Sequence, residues 1–273
     1  MKVSLIIPTY KDTIALKLIL DALQYQTYKN FEVIVAEDDN SRDTLEILSN
    51  YKAPFDIKHY YHEDKGNRKP KAVNASIAMS SGTYIILIDG DTIPFSTFIE
   101  YHVLLSEPQK ALCGRRVNIG DKVSSDLRNN RITAKKIEDN YIKMYKYLKN
   151  DNIRHYEQGI SFHPHSFLYK LFAKANRNIH IVASNFSCFK EDLLKVNGID
   201  EDLPYAPSRD DTDLEWRLKA VGIEMKSAKY CANLLHLNHS RTDRKDEDEQ
   251  NRILIANKQI QNQYKAKNGI IKC

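Results

Sequence analysis

The chain has four cysteines, and no two of them are close. Cys113, Cys188, Cys231 and Cys273 offer no C-x-x-C spacing for zinc or thiol–disulfide work. Scattered single cysteines read most simply as free thiols in a reducing compartment. No stretch approaches the roughly 18–20 consecutive apolar residues of a membrane-spanning helix. The opening MKVSLIIPTY lacks the apolar core of a secretion signal, because Pro8 cuts its run short. Together these absences predict a cytoplasmic protein that touches the inner face of a plasma membrane peripherally at most. No window has the character of a nucleic-acid module, so no nucleic-acid partner is expected. Internal repeats and low-complexity linkers are also missing. Glycine is absent from Pro8-Thr9-Tyr10-Lys11-Asp12. A nucleotidyltransferase would carry a Gly-rich phosphate loop in that place, and its absence argues against that class.

What is present suits one large or two small folded units. The chain has 273 residues, 42% of them hydrophobic, with a net charge of +5. The apolar segments alternate in type. Val3 to Ile7, Phe31 to Ala36 and Tyr84 to Ile88 are continuous apolar runs, as expected for strands covered on both faces; Ile57 to Tyr61 is a more polar, edge-like strand. Helices fall between them. Asp12 caps the first, which runs to about Gln26 with Ile14, Leu16, Ile19, Leu20 and Leu23 inward. Thr44 to Ser49 is short, and Pro70 opens a third that runs to about Ser80. Strand–helix alternation with short links predicts an α/β fold with a doubly wound, mostly parallel sheet over residues 1–110.

Two of these strands end in acids. Asp89-Gly90-Asp91 follows Ile88, and Glu37-Asp38-Asp39 follows Ala36. Parallel strands present ligand-binding groups at their carboxyl ends, and carboxylates gathered there need a cation partner. Hard oxygen ligands suit Mg²⁺ or Mn²⁺. The bland alternatives are an Asp-Gly turn after the fourth strand and an Asx turn that caps the helix after Asp39.

Beyond Pro94 the texture changes. Phe98 to Leu105 reads as a helix, Ala111 to Val117 as a strand, and Thr133 to Lys149 as one helix. Residues 121–180 are basic and rich in tyrosine, and form the candidate surface for acceptor or lipid contact. His163-Pro164-His165 is a loop pair with little claim to a metal. Ile181 to Phe189 reads as a strand, and Glu191 to Val196 as a helix stopped by Asn197-Gly198. Arg209-Asp210-Asp211-Thr212-Asp213 opens a helix that ends at Gly222 and carries Trp216, the single tryptophan. Acids there also serve the helix dipole. Tyr230 to Leu235 reads as a strand before His236-Leu237-Asn238-His239, and Asn251 to about Tyr264 as a last helix.

The segments SLIIPTY, EVIVAEDDNS, KAVNASIAMSSGTYIILIDGD, NFSCFKEDLLKVNGIDE, RDDTDLEWRL and HLNH, in that order, resemble the family-two inverting glycosyltransferases of the GT-A fold. The resemblance covers nearly all the chain except residues 120–178, and its last part is similar to galactosyltransferase-like segments of bacterial polysaccharide-building enzymes. It implies a nucleotide-sugar-binding half over residues 1–110, an acceptor and catalytic half over 111–240, and a helical tail over 241–273. It implies a nucleotide-sugar donor, with UDP expected, a divalent cation, and a glycan or lipid-linked glycan acceptor. On the donor side the matching positions are Pro8 and Tyr10 at the nucleobase, Asp38 and Asp39 at the uracil ring, and Arg68 and Lys71 near the diphosphate. Asp89 and Gly90 complete that side, with Asp89 near ribose or metal-bound water. Asp91 matches the metal ligand, joined by His236 with His239 as the substitute. Asn185, Ser187 and Trp216 fall in segments lining the sugar and acceptor pocket. Asp211 matches the catalytic base, and Asp210 stands where the family has Glu. Ala206-Pro207-Ser208-Arg209 replaces the family's usual Trp-Gly.

Overall fold

The computed structural model describes residues 1–174, 179–203, 209–239 and 245–272. Val3–Thr9 (β1), Phe31–Glu37 (β2), Asp56–Tyr60 (β3) and Tyr84–Ile88 (β4) lie parallel in one sheet. Thr13–Leu23 (α1), Arg42–Asn50 (α2) and Lys69–Met79 (α3) link them. The continuous apolar runs have a direct cause, because both faces of the sheet are covered. Leu5, Ile7, Val33, Val35, Tyr84, Ile86 and Ile88 enter one core cluster, which also holds Leu16, Ile19 and Leu20 of α1. The alternate residues Ile6, Ile34, Ala36, Ile85 and Leu87 enter a second with Ala72, Val73 and Ile77 of α3. Successive side chains of a strand face opposite ways. Ile14 departs from the expected inward set and is exposed. Pairing of β1 with β4 stops at Ile6, so Pro8 falls where a missing N–H is tolerated.

The next elements are Thr92–Pro94 (β5), Phe98–Leu105 (α4), Lys110–Cys113 (β6), Val117–Asn118 (β7) and Asp121–Arg128 (α5). Ala134–Asp139 (α6), Tyr145–Lys149 (α7), Phe167–Lys174 (α8), Asn185–Phe189 (β8) and Lys190–Lys195 (α9) follow. Asp210–Ala220 (α10), Glu224–Ser227 (β9), Leu234–His236 (β10) and Lys245–Ile260 (α11) complete the order. The main sheet runs β3-β2-β1-β4-β8-β6-β9, and β5-β10-β7 form a second, three-stranded sheet. β8 lies antiparallel between β4 and β6, so the sheet is mixed beyond β4.

Several sequence expectations change here. Ala111 to Val117 is not one strand, because β6 and β7 join different sheets. Thr133 does cap a helix, its hydroxyl accepting from the Lys136 N–H, but that helix stops at Asp139. Tyr141 instead stacks on Tyr156 at 4.6 Å between ring centres. β8 begins only at Asn185, and the stretch before it is loop. The strand expected from Tyr230 begins at Leu234, and the last helix begins earlier than Asn251, at Lys245. Asn197 and Gly198 end α9 with positive φ. The Asn197 side chain then bonds the backbone of Ala266 and Ile271, which pins the chain after α11. Cys113, Cys188 and Cys231 are buried free thiols; Cys273, Ala206, Pro207 and Ser208 lie outside the described residues.

Candidate active site

A cleft of about 830 Å³ opens at the carboxyl ends of β1, β2 and β4. Its position follows from the topology, since a parallel sheet leaves loops free at that edge. Pro8, Thr9, Tyr10, Asp12, Asp38, Asp89, Gly90 and Asp91 line it from the first half of the chain, with Gly66, Asn67 and Lys69 from the loop before and start of α3. Arg116, Arg128, Val182, Ala183, Asp210, Asp211, His236 and His239 close it from the second half.

The turn after β4 is held tightly. The Asp89 carbonyl accepts from the Thr92 N–H at 3.2 Å and hydroxyl at 2.7 Å. Gly90 is required by space, because a Cβ there would meet the Pro8 carbonyl oxygen at 2.2 Å. β10 pairs antiparallel with β5, opposing His236 to Thr92, and the Leu237 N–H donates to the Asp91 carbonyl at 3.0 Å. Backbone pairing thus carries a histidine from late in the chain to the second acid of the turn. His236 Nε2 and His239 Nε2 each lie 3.3 Å from Asp91 Oδ2. The ligand atoms of these three residues fall within 4.8 Å of one another. Asp91 Oδ1 is buried and has no partner. Burial would raise the Asp91 pKa, but the two imidazoles outweigh it and hold the carboxyl below the usual carboxylate range. A carboxylate with an unpartnered buried oxygen beside two imidazole nitrogens fits a Mn²⁺-type divalent cation.

Asp89 sits between cations, with Lys69 Nζ 2.7 Å from one oxygen and Arg116 Nη1 3.5 Å from the other. Burial works against the Lys69 charge, but Asp89, Asp210 and Asp91 hold its pKa above the usual lysine value. Arg128 forks onto Asp12 at 2.8 and 2.7 Å, and Asp12 also caps α1 through the Ala15 N–H. Lys69, Arg116, Arg128 and Asp12 were not among the sequence candidates. A run of three basic residues around Pro70 pointed to the segment, but only the helix phase decides which of them faces the acids. Arg116 and Arg128 pair with acids distant in sequence, for which no local signal exists.

Asp210 and Asp211 stand at the start of α10. Asp210 is buried, its Oδ1 accepts from the Asp211 N–H at 2.9 Å, and burial pushes its pKa up to about 6. Asp211 is half-buried. Burial raises its pKa as well, against the opposing Thr212 N–H that donates to it at 2.7 Å. The third acid, Asp213, is structural: it pairs with Arg217 at 2.7 Å, both side chains fully buried, and accepts from the Trp216 indole at 3.1 Å.

The structure separates other sequence candidates from the cleft. Asn185 and Ser187 are buried on one face of β8, where they bond His102 at 3.1 and 2.7 Å. Asn185 also donates to the carbonyls of Arg115 and Ala232. Their side chains are committed to the core, and Val182 and Ala183 of the preceding loop reach the cleft instead. Trp216 is tied to Asp213 and does not line it. Arg68 donates its backbone N–H to Asp38 at 2.8 Å and its guanidinium to the Glu63 carbonyl, and neither Arg68 nor Lys71 reaches the lining. Asp39 faces a neighbouring depression with Lys11, Tyr61 and His62. Its Oδ1 is buried without a partner, and burial with the adjacent Glu37 pushes its pKa up to about 6. Tyr10 stands exposed between the two hollows, with Lys11 over its ring. His163 packs edge-on against Tyr101 and belongs to no metal-binding group among the described residues.

Solved structures share this fold. Staphylococcus aureus TarS superposes with a TM-score of 0.61 at 15% identity, covering 94% of this chain and 39% of that one. A mannosyltransferase from Pyrobaculum calidifontis, solved with GDP-Man and Mn²⁺, gives 0.61 at 15% identity, covering 95% and 64%. With acids gathered at the strand ends, the fold is that of the GT-A glycosyltransferases. The particular family follows from sequence: residues 4–195 match Glycosyl transferase family 2, and the chain belongs to it. TarS is also 28% identical over 93 residues, 33% of this chain and 16% of that protein. A GalNAc(5)-diNAcBac-PP-undecaprenol beta-1,3-glucosyltransferase of Campylobacter jejuni is 28% identical over 91 residues, 33% of this chain and 29% of that protein. Such matches span 15 to 40% of the relatives' own length.

Proposed function

We propose that this glycosyltransferase moves a sugar from a nucleotide diphosphate sugar, with uridine the expected base, to a hydroxyl of a glycan or lipid-linked glycan. The reaction inverts the anomeric centre and depends on Mn²⁺ or Mg²⁺. The observation that carries the reading is the meeting, in one cleft, of the Asp91–His236–His239 group, the Asp89–Lys69–Arg116 cluster and the acids that open α10. Solved forms of TarS with UDP and with UDP-GlcNAc support the choice of uridine. The Campylobacter relative, whose name specifies a diphospho-undecaprenol substrate, supports a lipid-linked acceptor.

In this reading Asp91, His236 and His239 hold the cation. When bound, it supplies Lewis-acid neutralisation of charge on the leaving diphosphate. Lys69 and Arg116 turn from Asp89 toward the diphosphate oxygens. Pro8, Tyr10 and Asp38 flank the nucleoside in the cleft, with Asp39 behind them in the adjoining hollow. Asp211 takes the proton of the acceptor hydroxyl as that oxygen attacks the anomeric carbon, and the bond to the diphosphate breaks on the opposite face. Asp210, more deeply buried, holds the backbone of Asp211.

The test is a donor screen: the protein with Mn²⁺ and a panel of nucleotide sugars, with and without chelator, read as nucleoside diphosphate release and as donor binding by calorimetry. Chelator-sensitive release from one UDP-sugar is expected. Absence of both release and binding across the panel would overturn the reading in favour of a non-catalytic scaffold.

A further inference from the structure

We infer that α8 is a membrane-docking helix that lays its apolar face on an anionic lipid surface. Its helical start is ordinary, with the Ser166 hydroxyl accepting from the Tyr169 N–H at 3.1 Å. What it presents is not. Phe167 is 77% exposed, Leu171 54%, Leu168 47% and Phe172 40%. At about 100° per residue these four side chains span an arc of about 140° on one side, with exposed Lys170 about 60° beyond its edge. Tyr169 is the anchor on the opposite side, buried and donating to the Ser227 carbonyl at 2.8 Å. Phe162 and Tyr230 brace Phe172 from below, with ring centres at 5.4 and 5.3 Å. The helix is therefore fixed to the body by one face while its apolar face points to solvent. Contiguous exposed apolar surface of this kind marks an interaction site.

Charge selects the occupant. No Asp or Glu occurs between Glu157 and the end of α8, whereas Lys170 and Lys174 lie in the helix itself. An apolar helical face inside an acid-free, basic stretch is complementary to anionic headgroups over an acyl layer, the arrangement of an interfacial helix. A protein partner would call for acidic groups as readily as basic ones. The inference does not depend on which sugar is transferred, or on transfer at all.

The test uses the full chain in vesicle co-sedimentation, with neutral phosphatidylcholine vesicles and with vesicles containing phosphatidylglycerol. Binding to the anionic vesicles that weakens with added salt is expected. Phe167→Ser with Leu171→Ser should lower the partition coefficient about tenfold or more, from the apolar area no longer buried. Lys170→Glu, a change at an exposed position, should weaken binding to anionic vesicles while leaving the circular dichroism spectrum unchanged. No sedimentation with anionic vesicles, or undiminished binding by both variants, overturns the inference. So does a dimer in sedimentation velocity that Phe167→Ser with Leu171→Ser dissociates, since the face would then belong to a second copy.

Discussion

Asp211→Asn isolates the proton-transfer step from everything around it. The asparagine carbonyl can still accept from the Thr212 N–H, the contact that Asp211 makes at 2.7 Å, so the start of α10 should survive. Nor does the side chain touch Asp91 or the histidines, which leaves the cation group intact. What is lost is a carboxylate able to take a proton. Loss of a positioned general base lowers the rate by on the order of 10²–10⁴, a barrier increase of about 3–5 kcal/mol. The structure favours Asp211 over Asp210 for this role because Asp211 is half-buried at the cleft while Asp210 is buried and oriented toward its neighbour's N–H. The assay is nucleoside diphosphate release with acceptor present, giving kcat, beside calorimetric donor binding. A kcat lowered by that amount with donor affinity kept is expected. Wild-type turnover in Asp211→Asn would refute the assignment, and collapse in Asp210→Asn alone would move the base one residue back.

Asp210 also makes a stability prediction. Its folded pKa of about 6 exceeds the unfolded value of about 3.9, so the folded state binds its proton more tightly and stability falls as pH rises through that window. Asp210→Asn should stabilise the fold at neutral pH by about 3 kcal/mol, with the gain shrinking toward pH 4.5; urea midpoints at the two pH values check this, and no gain at neutral pH would contradict the burial effect. Asp91→Ala should abolish Mn²⁺ binding in calorimetry of the apoprotein, whereas tight binding retained by the variant would remove Asp91 from the group. Gly90→Ala puts a Cβ 2.2 Å from the Pro8 carbonyl oxygen. It should destabilise by about 1–3 kcal/mol and weaken donor binding, and a fully wild-type melting curve would show that the turn can move.

The parts legible in the sequence were those with local causes. Continuous apolar runs announced β1, β2 and β4 because each is covered on both faces, and Asp12 and Pro70 marked helix starts through hydrogen bonding and fixed φ. The acids at the ends of β2 and β4 were legible as a cluster at one edge of the sheet, because both follow buried strands, while their separate roles came only from the family resemblance. Distant pairing was not legible. Nothing in NFSCF tells that it enters the sheet antiparallel, or which of its faces packs on the core, and that second choice turns Asn185 and Ser187 onto His102 rather than into the cleft. At the break between α6 and α7 Tyr141 stacks against Tyr156, a contact that no periodicity encodes. Lys69, rather than Arg68 or Lys71, meets Asp89 because of where α3 starts, and a shift of one residue moves a side chain about 100° around the axis.

The pairing of β10 between β5 and β7 has a consequence for how the protein is made. Asp91 leaves the ribosome well before His236 and His239. Until β10 arrives, neither β5 nor β7 has its partner, and Asp91 has no imidazole beside it. A nascent or shortened chain ending before Leu234 therefore owns the strand ends proposed to flank the nucleoside but only one of the three proposed ligand groups. On the proposed reading, chemistry waits for β10, and a chain without it could hold a donor without discharging it.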